Sequence, residues 1–521
     1  MVWIEKNGGM QGSSTPDRAF YDAKDVCGHL LKAGTVYALL AAYRARLFPD
    51  DMFGDLFPVK RGRPSVPADV IASVMVLQAL EGLSDREAVG RLETDIRWKI
   101  AAGLSLADEA FHSTVLVLWR NKLRASDRPQ RIFDAVRAVI AETGILKGKN
   151  RRAVDSTVLD DAVARQDTVT MLVAQIRKVR RLIPEIAGIW VRHHNLEGGR
   201  PPCDWGDPAD RERLITELVD DALTLLGGVE DLQDEGFVLS EVQDEAVALL
   251  ALVAGQDVEP GDRPGRWKIA RGTAKDRTIS TVDPETRHAH KTRKSQRDGY
   301  KAHVAAEPDT GLITGCDLGA GNEGDAQAAP GLLENEPEGI EVLGDSAYSS
   351  ADLREHLAKK KMVPVIKPQP LQPAVPGGFT LDDFAIDLTA GTVTCPAKIT
   401  VTISKTRTAT FGKHCKACPL RTSCTTAKAG RTISLHEHHQ HLVDARVQAR
   451  TPEFDAVYRR HRPMIERTLA WCVKDNHRKL RYRGIIKNRI AWSLRCAAVN
   501  LKRLLNLGLT RGHDSWTITP A

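Results

Sequence analysis

The sequence predicts an α/β protein in which a mixed sheet is flanked by helices and interrupted by a helical insertion. One strand pattern, RRAVDST (151–157), stands alone early in the chain. Helical periodicity then fills residues 165–262, and further strand patterns begin only at residue 276. A helical unit inserted into one sheet explains this order more simply than two separate sheets. The chain of 521 residues is also too long to form a single core.

Residues 21–145 carry the patterns of an all-helical region. Apolar residues recur at helical spacing over 66–82, and this stretch ends at Gly82, which suits the left-handed position after a helix. Ser84 and Glu87 then form a capping box that begins a second helix. Two helices joined by a tight glycine turn predict a helix-turn-helix, and hence a DNA-binding region. An ordinary helical hairpin is the alternative.

The residues before this pair of helices are polar or basic. Residues 1–20 are polar, and we expect a flexible N-terminus there. The stretch KRGRPSVP (60–67) is basic and extended in character. Its Arg61 and Arg63 suit an A·T-rich minor groove, which short basic arms of this kind enter. A solvated linker is the alternative.

Composition indicates the compartment. The longest apolar runs, near 247–255, are too short to cross a bilayer, and no charged-then-apolar leader opens the chain. Nine cysteines in 521 residues do not describe a disulfide scaffold. We therefore expect a protein of the reducing cytoplasm with no membrane contact.

Charge is distributed unevenly along the chain. Residues 446–511 contain 17 Lys or Arg against four acids, whereas residues 204–262 contain 17 acids against two bases. The basic segment, predicted as C-terminal helices over 446–510, is suited to bind a polyanion. The acidic segment lies in the predicted insertion, 166–270, and is suited to avoid one.

The predicted sheet is split around the insertion, with its first part in residues 146–165 and the rest in 271–368. We predict helices over 325–335 and 350–360 between the later strands. The later strand patterns are 276–283, 299–307, 311–318, 339–345 and 362–368.

Three acids are candidates for a metal site. Asp155 closes the apolar pair Ala153–Val154, and Asp345 closes the run GIEVLG. An acid that ends a buried strand lies at the sheet edge where ligand sites collect, although Asp is also common at turns. The third acid, Glu466, lies among arginines that suit phosphate in YRRHRPMIERTLAW (458–471). Three converging carboxylates would bind two Mg²⁺ ions, or Mn²⁺ in their place, and so make an acid compatible with DNA.

Residues 369–445 are rich in Pro, Gly and Cys, and 390–430 contain little apolar material. Four of their cysteines have the spacing C-x19-C-x2-C-x5-C, and four thiolates complete a tetrahedral zinc site. A segment with so few apolar residues needs a staple to fold, which favours structural zinc over unrelated thiols. Nearby histidines are candidates to replace one thiolate. The residues concerned are Cys395, Cys415, Cys418 and Cys424, with His436, His438, His439 and His441.

In this order, the motifs resemble those of the DDE transposases of insertion sequences. MFGDLFP, GRPS and GLSDREAV resemble the N-terminal region of these proteins, and RPMIERTLAW with RYRG (481–484) resembles the motif of their catalytic Glu. The resemblance covers most of the chain, and one branch of the family carries a Cys-rich insert before the Glu motif. Further similar segments are 154–168, 294–313 followed by Asn322 and Asp325, and 342–350.

The resemblance implies an RNase H-like catalytic fold with Asp155, Asp345 and Glu466 as the metal-binding triad. It implies an enzyme that cuts the ends of its element and joins the freed 3′-OH to target DNA by Mg²⁺-dependent phosphoryl transfer. The partners would be double-stranded DNA at the element ends and the target, and two ends imply a homodimer in the complex. We expect the protein at the nucleoid. A metal-dependent nuclease without strand transfer and a catalytically silent DNA-binding regulator are the alternatives.

The motif around the third acid departs slightly from the family pattern. Many relatives place Tyr, Arg, Glu and Lys at Y-x2-R-x3-E-x6-K. Here Arg462 keeps its spacing to Glu466, whereas Tyr458 and Lys474 are each one position off. Pro463 would begin or kink the helix between them. The residues predicted to contact DNA are Arg462, Tyr458, Lys474, Arg478, Arg481, Arg483, Arg61 and Arg63.

Other polar residues near these motifs have structural interpretations. We expect Asp160 and Asp161 to cap a turn or to face solvent. Asp325 is expected to cap the helix that begins there, and His303 to pack within its strand. Metal binding for Asp325 and contact with the site or with DNA for His303 are the alternatives.

Overall fold

A computed structural model of the chain describes residues 10–12, 22–58, 64–193, 199–292 and 295–519. The predicted minor-groove residues Arg61 and Arg63 lie outside the described residues, as does most of the stretch 1–20. Helices and a mixed sheet form an α/β protein with a helical N-terminal region, which confirms the predicted fold class at this level.

The N-terminal region is built from helices. They are α1 (Ala23–Cys27), α2 (Val36–Leu47), α3 (Ala68–Glu81), α4 (Asp85–Thr94), α5 (Ile96–Ala102), α6 (Thr114–Ala125) and α7 (Arg131–Thr143). Every residue of α3 from 68 to 79 is buried. A helix buried on all sides is a core element, and α2, α4 and α5 pack against α3.

The predicted turn between α3 and α4 is confirmed. Helix α3 ends at Gly82, whose φ of 69° is left-handed. The Ser84 hydroxyl accepts the backbone N–H of Glu87, and the Glu87 carboxylate accepts that of Ser84. A Cβ on Gly82 would lie 2.0 Å from the carbonyl oxygen of Asp475, so no side chain fits there. The turn therefore packs directly against the C-terminal part of the chain.

Strand β1 (Arg151–Asp160) precedes the helical insertion. The insertion consists of α8 (Thr168–Leu182), α9 (Pro208–Asp234), α10 (Glu241–Gln256), β2 (Val258–Pro260) and β3 (Trp267–Ile269). Its buried apolar residues, from 169 to 254, form a cluster separate from the core of the sheet. These residues lie within the range 166–270 predicted for the insertion.

The sheet resumes after the insertion. Its later elements are β4 (Arg287–Thr292), β5 (Ser295–Ala306), β6 (Ile313–Ala320), α11 (Asp325–Leu332), β7 (Glu341–Gly344), α12 (Ala351–Lys359) and β8 (Val363–Ile366). The helices predicted over 325–335 and 350–360 are therefore confirmed.

The strand predicted over 276–283 is wrong. The backbone N–H of Thr278 donates to the side-chain oxygen of Gln256 at 3.0 Å. The backbone N–H of Thr281 donates to the side chain of Gln166 at 2.7 Å. Side chains from the insertion and the loop before it thus take the hydrogen bonds that a neighbouring strand would have made.

The main sheet has the strand order β4-β5-β1-β7-β8, and β6 also pairs with β5. Strand β5 is antiparallel to β1, β4 and β6, whereas β1, β7 and β8 are parallel to one another. Strand β6 pairs with residues 300–306 of β5 and β4 with its earlier part, so both lie on the side of β5 away from β1. Parallel β1 and β7 direct their carboxyl ends to one edge of the sheet.

The segment after β8 contains short strands where the sequence predicts irregular structure. Its elements are β9 (Ala385–Asp387), β10 (Thr392–Thr394), β11 (Thr400–Thr402), β12 (Thr408–Thr410), α13 (Arg421–Cys424) and β13 (Thr432–Ser434). The chain then continues into α14 (His439–Gln448), α15 (Pro452–His461), α16 (Pro463–Val473), α17 (Ile485–Asn506), β14 (Leu509–Arg511) and β15 (Trp516–Ile518). Short 3₁₀ helices cover Gly28–Leu30, Asp50–Leu56, Pro184–Ile186, Ser346–Tyr348, Leu381–Asp383 and Gly412–Cys415.

The N-terminal helices, the sheet and the C-terminal helices share one hydrophobic core. Helix α17 packs on β6, α3 and α7 within it. The buried Arg495 of α17 donates to the carbonyl oxygens of Ala79 and Cys472, at 2.9 and 3.0 Å. Asn500 binds both backbone groups of Ile313. Helix α17 thereby fixes α3 and α16 against the sheet. Among the described helices, none is long and apolar enough to cross a membrane.

Candidate active site

The sheet brings two of the predicted acids together. Strands β1 and β7 are parallel, and their last paired residues are Ala153 and Leu343. Asp155 and Asp345 each lie two residues further along, so the register places them next to each other where β7 has ended. The Asp345 Oδ1 accepts the backbone N–H of Ala347 at 2.9 Å, which orients this carboxylate at the start of a 3₁₀ turn.

Strand β1 is longer than the sequence predicts. It continues to Asp160 because β5 pairs with it through residues 299–306. Strand β7, in contrast, pairs with β1 only as far as Ala153, so the edge of β1 that faces β7 is unpaired by β7 beyond that residue. The prediction of an acid that closes its strand is therefore right for Asp345 and wrong for Asp155. Asp155 lies within β1, at the part of its edge that β7 does not cover.

The third acid is carried by α16, which packs on β1. Pro463 lies in the first turn of α16, where its fixed φ suits a helix and its missing N–H leaves no bond unmade. It therefore begins this helix, and Arg462 forms the joint with α15. Glu466 follows in the same first turn, with its side chain 72% exposed.

Arg462 joins the three acids. Its Nη2 lies 3.1 Å from Asp155 Oδ2 and 3.8 Å from Asp345 Oδ2. Its Nη1 lies 3.8 Å from Glu466 Oε1. The Arg462 side chain is 7% exposed, so carboxylates from three distant parts of the chain converge on one buried guanidinium. We call these four residues the acid cluster.

The electrostatics of the cluster depend on this arginine. Burial raises the pKa of the Asp155 carboxyl, and the charge of Arg462 opposes that shift. The backbone N–H of Ser156 also donates to Asp155 Oδ1 at 2.8 Å. Tyr458 contacts Arg462 and stacks on Phe454 with ring centroids 5.5 Å apart. Burial raises the pKa of the Tyr458 hydroxyl, which therefore adds no negative charge to the cluster.

A polar network behind Asp155 is not predicted by the sequence. The Ser156 hydroxyl donates to Asp325 Oδ1 at 2.9 Å, and Lys301 Nζ lies 3.1 Å from the same oxygen. The predicted capping role of Asp325 is wrong, because the cap residue of α11 is Gly324. Asp325 instead holds the residue that follows Asp155, and Lys301 balances its charge. The only sequence signal is the alternation that places Lys301 on one face of β5.

The predictions for the remaining polar residues can be compared with their environments one by one. His303 is 0% exposed, and burial lowers the pKa of its imidazole to about 4, so it packs uncharged in β5 as expected. Asp160 lies partly in solvent, as expected, and pairs with Arg297 at 2.9 Å. Asp161 is 9% exposed, so it does not face solvent, but its Oδ1 accepts the backbone N–H of Val163 at 3.4 Å and so caps a turn, the other predicted role. Its Oδ2 accepts the hydroxyl of Thr286 at 2.8 Å.

The residues predicted to contact DNA occupy different environments. Arg478 lies beside β1 and donates to the hydroxyl of Thr157 at 3.3 Å. Arg481 donates to the carbonyl oxygen of Gly82, so it helps hold the N-terminal turn in place. Arg462 is buried in the acid cluster, and Tyr458 is half-buried beside it. The exposed members among the described residues are Lys474, Arg481 and Arg483.

The four predicted zinc ligands line one small cavity, and we call them the cysteine cluster: Cys395, Cys415, Cys418 and Cys424. Aromatic and aliphatic residues around it, including Phe384 and Phe411, form a small core of their own. The Cys415 sulfur accepts the backbone N–H of Arg431 at 3.4 Å, and burial raises the pKa of the Cys424 thiol. Within the described residues, no group of three or more His, Cys, Asp or Glu is arranged so that it could hold a metal ion. Metal binding at both clusters therefore stays a prediction.

The neighbouring histidines contact helix α12 instead of the cysteines. His441 Nε2 lies 2.8 Å from Glu355 Oε2, and His438 Nδ1 lies 3.8 Å from the same oxygen. His436 pairs with Asp352 at 3.5 Å. Neither these three residues nor the buried His439 lines the cysteine cavity, which disfavours the alternative in which one of them replaces a thiolate.

Two family models match the chain. One, described as Transposase DDE domain, matches residues 394–505, which include most of the cysteine cluster's segment, Arg462, Glu466 and nearly all of α17. The other, described as Transposase domain (DUF772), matches residues 35–122, which cover α2 to α5 and most of α6. Corresponding comparisons with curated proteins and with solved structures find no match.

Both models describe transposases, and they match opposite ends of the chain in the order that the sequence motifs predict. A transposase DDE domain implies an enzyme that processes nucleic acid, with DNA as a plausible partner. The resemblance drawn from the motifs is thereby confirmed. Together, the two matches indicate an insertion-sequence transposase of the DDE class.

Proposed function

We propose that this transposase cleaves the ends of its insertion sequence and joins the freed 3′-OH to target DNA by Mg²⁺-dependent phosphoryl transfer. The acid cluster is the observation that carries the proposal. Three carboxylates from distant parts of the chain meet around one buried arginine, at the edge of a strongly basic C-terminal region. Acids gathered beside cations are what metal-assisted phosphoryl transfer requires.

The catalytic fold would be RNase H-like. The order β6-β5-β1-β7-β8, with the first three strands antiparallel and the last three parallel, supports this assignment. The proposed catalytic residues lie where this topology converges: Asp155 on β1, Asp345 after β7, and Glu466 on the helix packed against β1.

The donor set fits Mg²⁺, or Mn²⁺ in its place. Each such ion needs one or two protein carboxylates, and water and phosphate supply the other ligands. Asp155 and Asp345 offer oxygens that lie 3.1 and 3.8 Å from one nitrogen atom of Arg462, so both face the space in which a cation would be held. Glu466 is exposed and would turn inward to complete the set. Two bound ions would stabilise the charge on the attacking and leaving oxygens.

The chain's own residues would hold the DNA and the acids in position. Lys474, Arg478 and Arg483 would contact phosphates near the acid cluster, and Arg462 would do so once it leaves the acids. Ser156 and Asp325 keep β1 fixed behind Asp155. In-line attack of water or a DNA hydroxyl on the phosphorus, with the opposite oxygen leaving, forms no covalent bond to the protein, so no nucleophilic side chain is needed.

The other regions would supply DNA and partner contacts. In the N-terminal region α3 is buried, so contacts to the element ends would fall to exposed residues of α4, such as Arg86 and Arg91. For Arg61 and Arg63, which lie outside the described residues, the proposed minor-groove contact rests on the sequence alone. Two element ends must be held at once, which favours a homodimer in the DNA complex.

We also propose that the cysteine cluster binds a structural zinc ion. Four sulfurs that line one cavity in a segment with a small core support this proposal. Four thiolates are the ligand set of closed structural zinc sites. The ion would stabilise residues 369–445, which separate the sheet from the helices that carry Glu466.

Glu466→Gln tests the proposed function. The substitution removes one negative charge from an exposed position within the basic C-terminal segment, so DNA binding should be kept or strengthened. Mg²⁺-dependent cleavage of an element end should fall to background. The control is Glu453→Gln, which changes an exposed acid in the first turn of α15 and should leave cleavage unchanged. A Glu466→Gln protein that cleaves at the wild-type rate would overturn the assignment.

Two alternatives are separated by further measurements. A joining assay with pre-cut ends distinguishes a transposase from a nuclease, since a nuclease would cleave whole ends but never join pre-cut ones. A silent regulator would bind DNA, yet the wild-type protein would be as inactive as Glu466→Gln with either Mg²⁺ or Mn²⁺.

A further inference from the structure

Arg462 differs from the other arginines of α15 and α16 in where its charge lies. Arg459, one turn earlier on α15, is 79% exposed and pairs with Asp455 at 3.0 Å. Arg460 and Arg467 are exposed as well. Arg462 is 7% exposed and is directed at the acid cluster. A residue that serves only to meet phosphate would be expected on the exposed face with the others.

The guanidinium of Arg462 is held mainly by charge. Its Nε and Nη1 are buried and make no hydrogen bond. Nη2 makes the closest contact, at 3.1 Å from Asp155, while Asp345 and Glu466 lie at 3.8 Å from the two terminal nitrogens. Buried N–H groups without acceptors disfavour such an arrangement, so attraction to the three carboxylates must outweigh that penalty. Because charge holds the side chain and two of its nitrogens make no hydrogen bond, a second cation bound to the same carboxylates would remove the attraction that keeps it there.

A metal ion and this guanidinium compete for the same oxygens. Mg²⁺ bonds carboxylate oxygens at about 2.1 Å and would use Asp155 Oδ2 and Asp345 Oδ2. Those are the two atoms nearest to Nη2 of Arg462. Two cations in that space repel each other strongly, because burial weakens screening by solvent.

We propose that Arg462 is an exchangeable counter-ion: it neutralises the acids before metal binds, is displaced by the metal, and then meets a DNA phosphate. The proposal rests on the metal-binding role given to the acids in the proposed function. The displaced guanidinium needs a new anionic partner, and a phosphate accepts two parallel N–H bonds from it. Metal and DNA thereby favour each other's binding, and by linkage the coupling is reciprocal.

Mn²⁺ titration followed by calorimetry tests the exchange on the full-length chain without DNA. Arg462→Gln removes the competing charge, so it should bind Mn²⁺ about tenfold more tightly than wild type. Arg459→Gln removes an exposed arginine from α15, the helix that ends just before Arg462, and should leave the affinity unchanged. In wild type, an added DNA duplex should tighten Mn²⁺ binding, and in Arg462→Gln most of this gain should disappear.

A labelling experiment uses the wild-type protein and so does not depend on the folding of a variant. A dicarbonyl reagent modifies accessible guanidinium groups, and mass spectrometry reads the modified residues. Arg462 should be protected without metal, should become reactive when Mg²⁺ is added, and should be protected again by DNA. Arg459 is exposed and should react in the first two states alike.

Asp155→Asn separates the two proposals. If it binds Mn²⁺ as wild type does, the metal role of the acids fails, and the proposed function fails with it. If Asp155→Asn abolishes Mn²⁺ binding while Arg462→Gln leaves the wild-type affinity unchanged or weakens it, only the counter-ion role fails. Labelling of Arg462 that does not respond to Mg²⁺ would overturn that role as well.

Discussion

The acid cluster and the cysteine cluster are both predicted metal sites, but they are put together in different ways. The acids are far apart in sequence and meet because β1, β7 and α16 pack together. The cysteines fall within residues 395–424 and need only a local fold. The acids surround a buried arginine, whereas the thiols border a core that contains Phe384 and Phe411.

The difference follows from the chemistry of the ligands. Carboxylates stay charged at neutral pH, so three of them repel one another unless a cation lies between them. Thiols keep their protons and pack as small apolar groups. Burial raises the pKa of the Cys424 thiol, which favours the protonated form. Metal binding would thus replace an arginine at one cluster and protons at the other.

The largest expected effect is that of Asp345→Asn. The substitution keeps the shape of the side chain but removes a proposed metal ligand, so Mg²⁺-dependent cleavage should fall by about 10³-fold or more. The measurement is the cleavage rate of an element-end duplex under single-turnover conditions. Asp352→Asn is the matched control, because Asp352 is 76% exposed on α12 and should tolerate the change. Equal losses in both variants would show that the acid cluster is not the site.

Cys418→Ser tests the other half of the comparison. If the four thiolates hold zinc, the wild-type protein should contain about one zinc ion per chain, and the variant should contain much less. Protease cleavage within residues 369–445 should become on the order of 100-fold faster, since metal binding stabilises this segment. Metal analysis and limited proteolysis check these outcomes, with Cys203→Ser in the insertion as the control. Purified wild-type protein without tightly held zinc would remove the cysteine cluster from the comparison.

A smaller effect is expected from the network behind the acids. Asp325→Asn removes the charge that Lys301 balances and weakens the contact to Ser156. We expect cleavage to slow by about tenfold, the size of effect found when the support of a metal ligand is lost. Raising Mg²⁺ should recover part of that loss, which a general folding defect would not allow. Asp309→Asn changes an exposed acid that also pairs with a lysine, and it should have no effect.

The parts of the site that the sequence predicts are those set by neighbours in the chain. The turn at Gly82, the capping box at Ser84 and Glu87, and the end of β7 at Asp345 all follow from short patterns. The sequence allows Pro463 either to begin a helix or to kink one. In the structure it begins α16, and α16 packs on β1.

Other parts depend on contacts between distant segments, and the sequence does not predict them. The length of β1 beyond Asp155 is set by its pairing with β5, more than 130 residues away. The partner of Asp325 on β1 is 169 residues away. A run of arginines indicates phosphate binding, but whether Arg462 points to DNA or to acids depends on how α15 and α16 pack on the sheet.

His477 offers a third way to bury a titratable group, and its variant should have the smallest effect. It lies in the loop between α16 and α17, next to the turn at Gly82, and its Nε2 has no hydrogen-bond partner. Burial, and then the charges of Arg495 and Arg481, lower the pKa of this imidazole to about 3. A guanidinium lies between the acids of the acid cluster, whereas this buried imidazole has cations near it and therefore stays uncharged.

The sign of the resulting pH dependence follows from proton binding. Below its ordinary value of 6.5 the imidazole binds a proton in the unfolded chain but not in the folded one. Its contribution to stability is therefore complete above pH 6.5 and is lost as the pH falls toward about 3. Between pH 7 and pH 5 the free energy of unfolding should fall by about 1 to 2 kcal/mol through this group. His477→Gln should flatten that slope in denaturant titrations, whereas His513→Gln, at a side chain 99% exposed, should not. If His477→Gln leaves the slope unchanged, the folded protein tolerates a charged imidazole at this position. His477 would then not be a third kind of buried titratable group beside the acid cluster and the cysteine cluster.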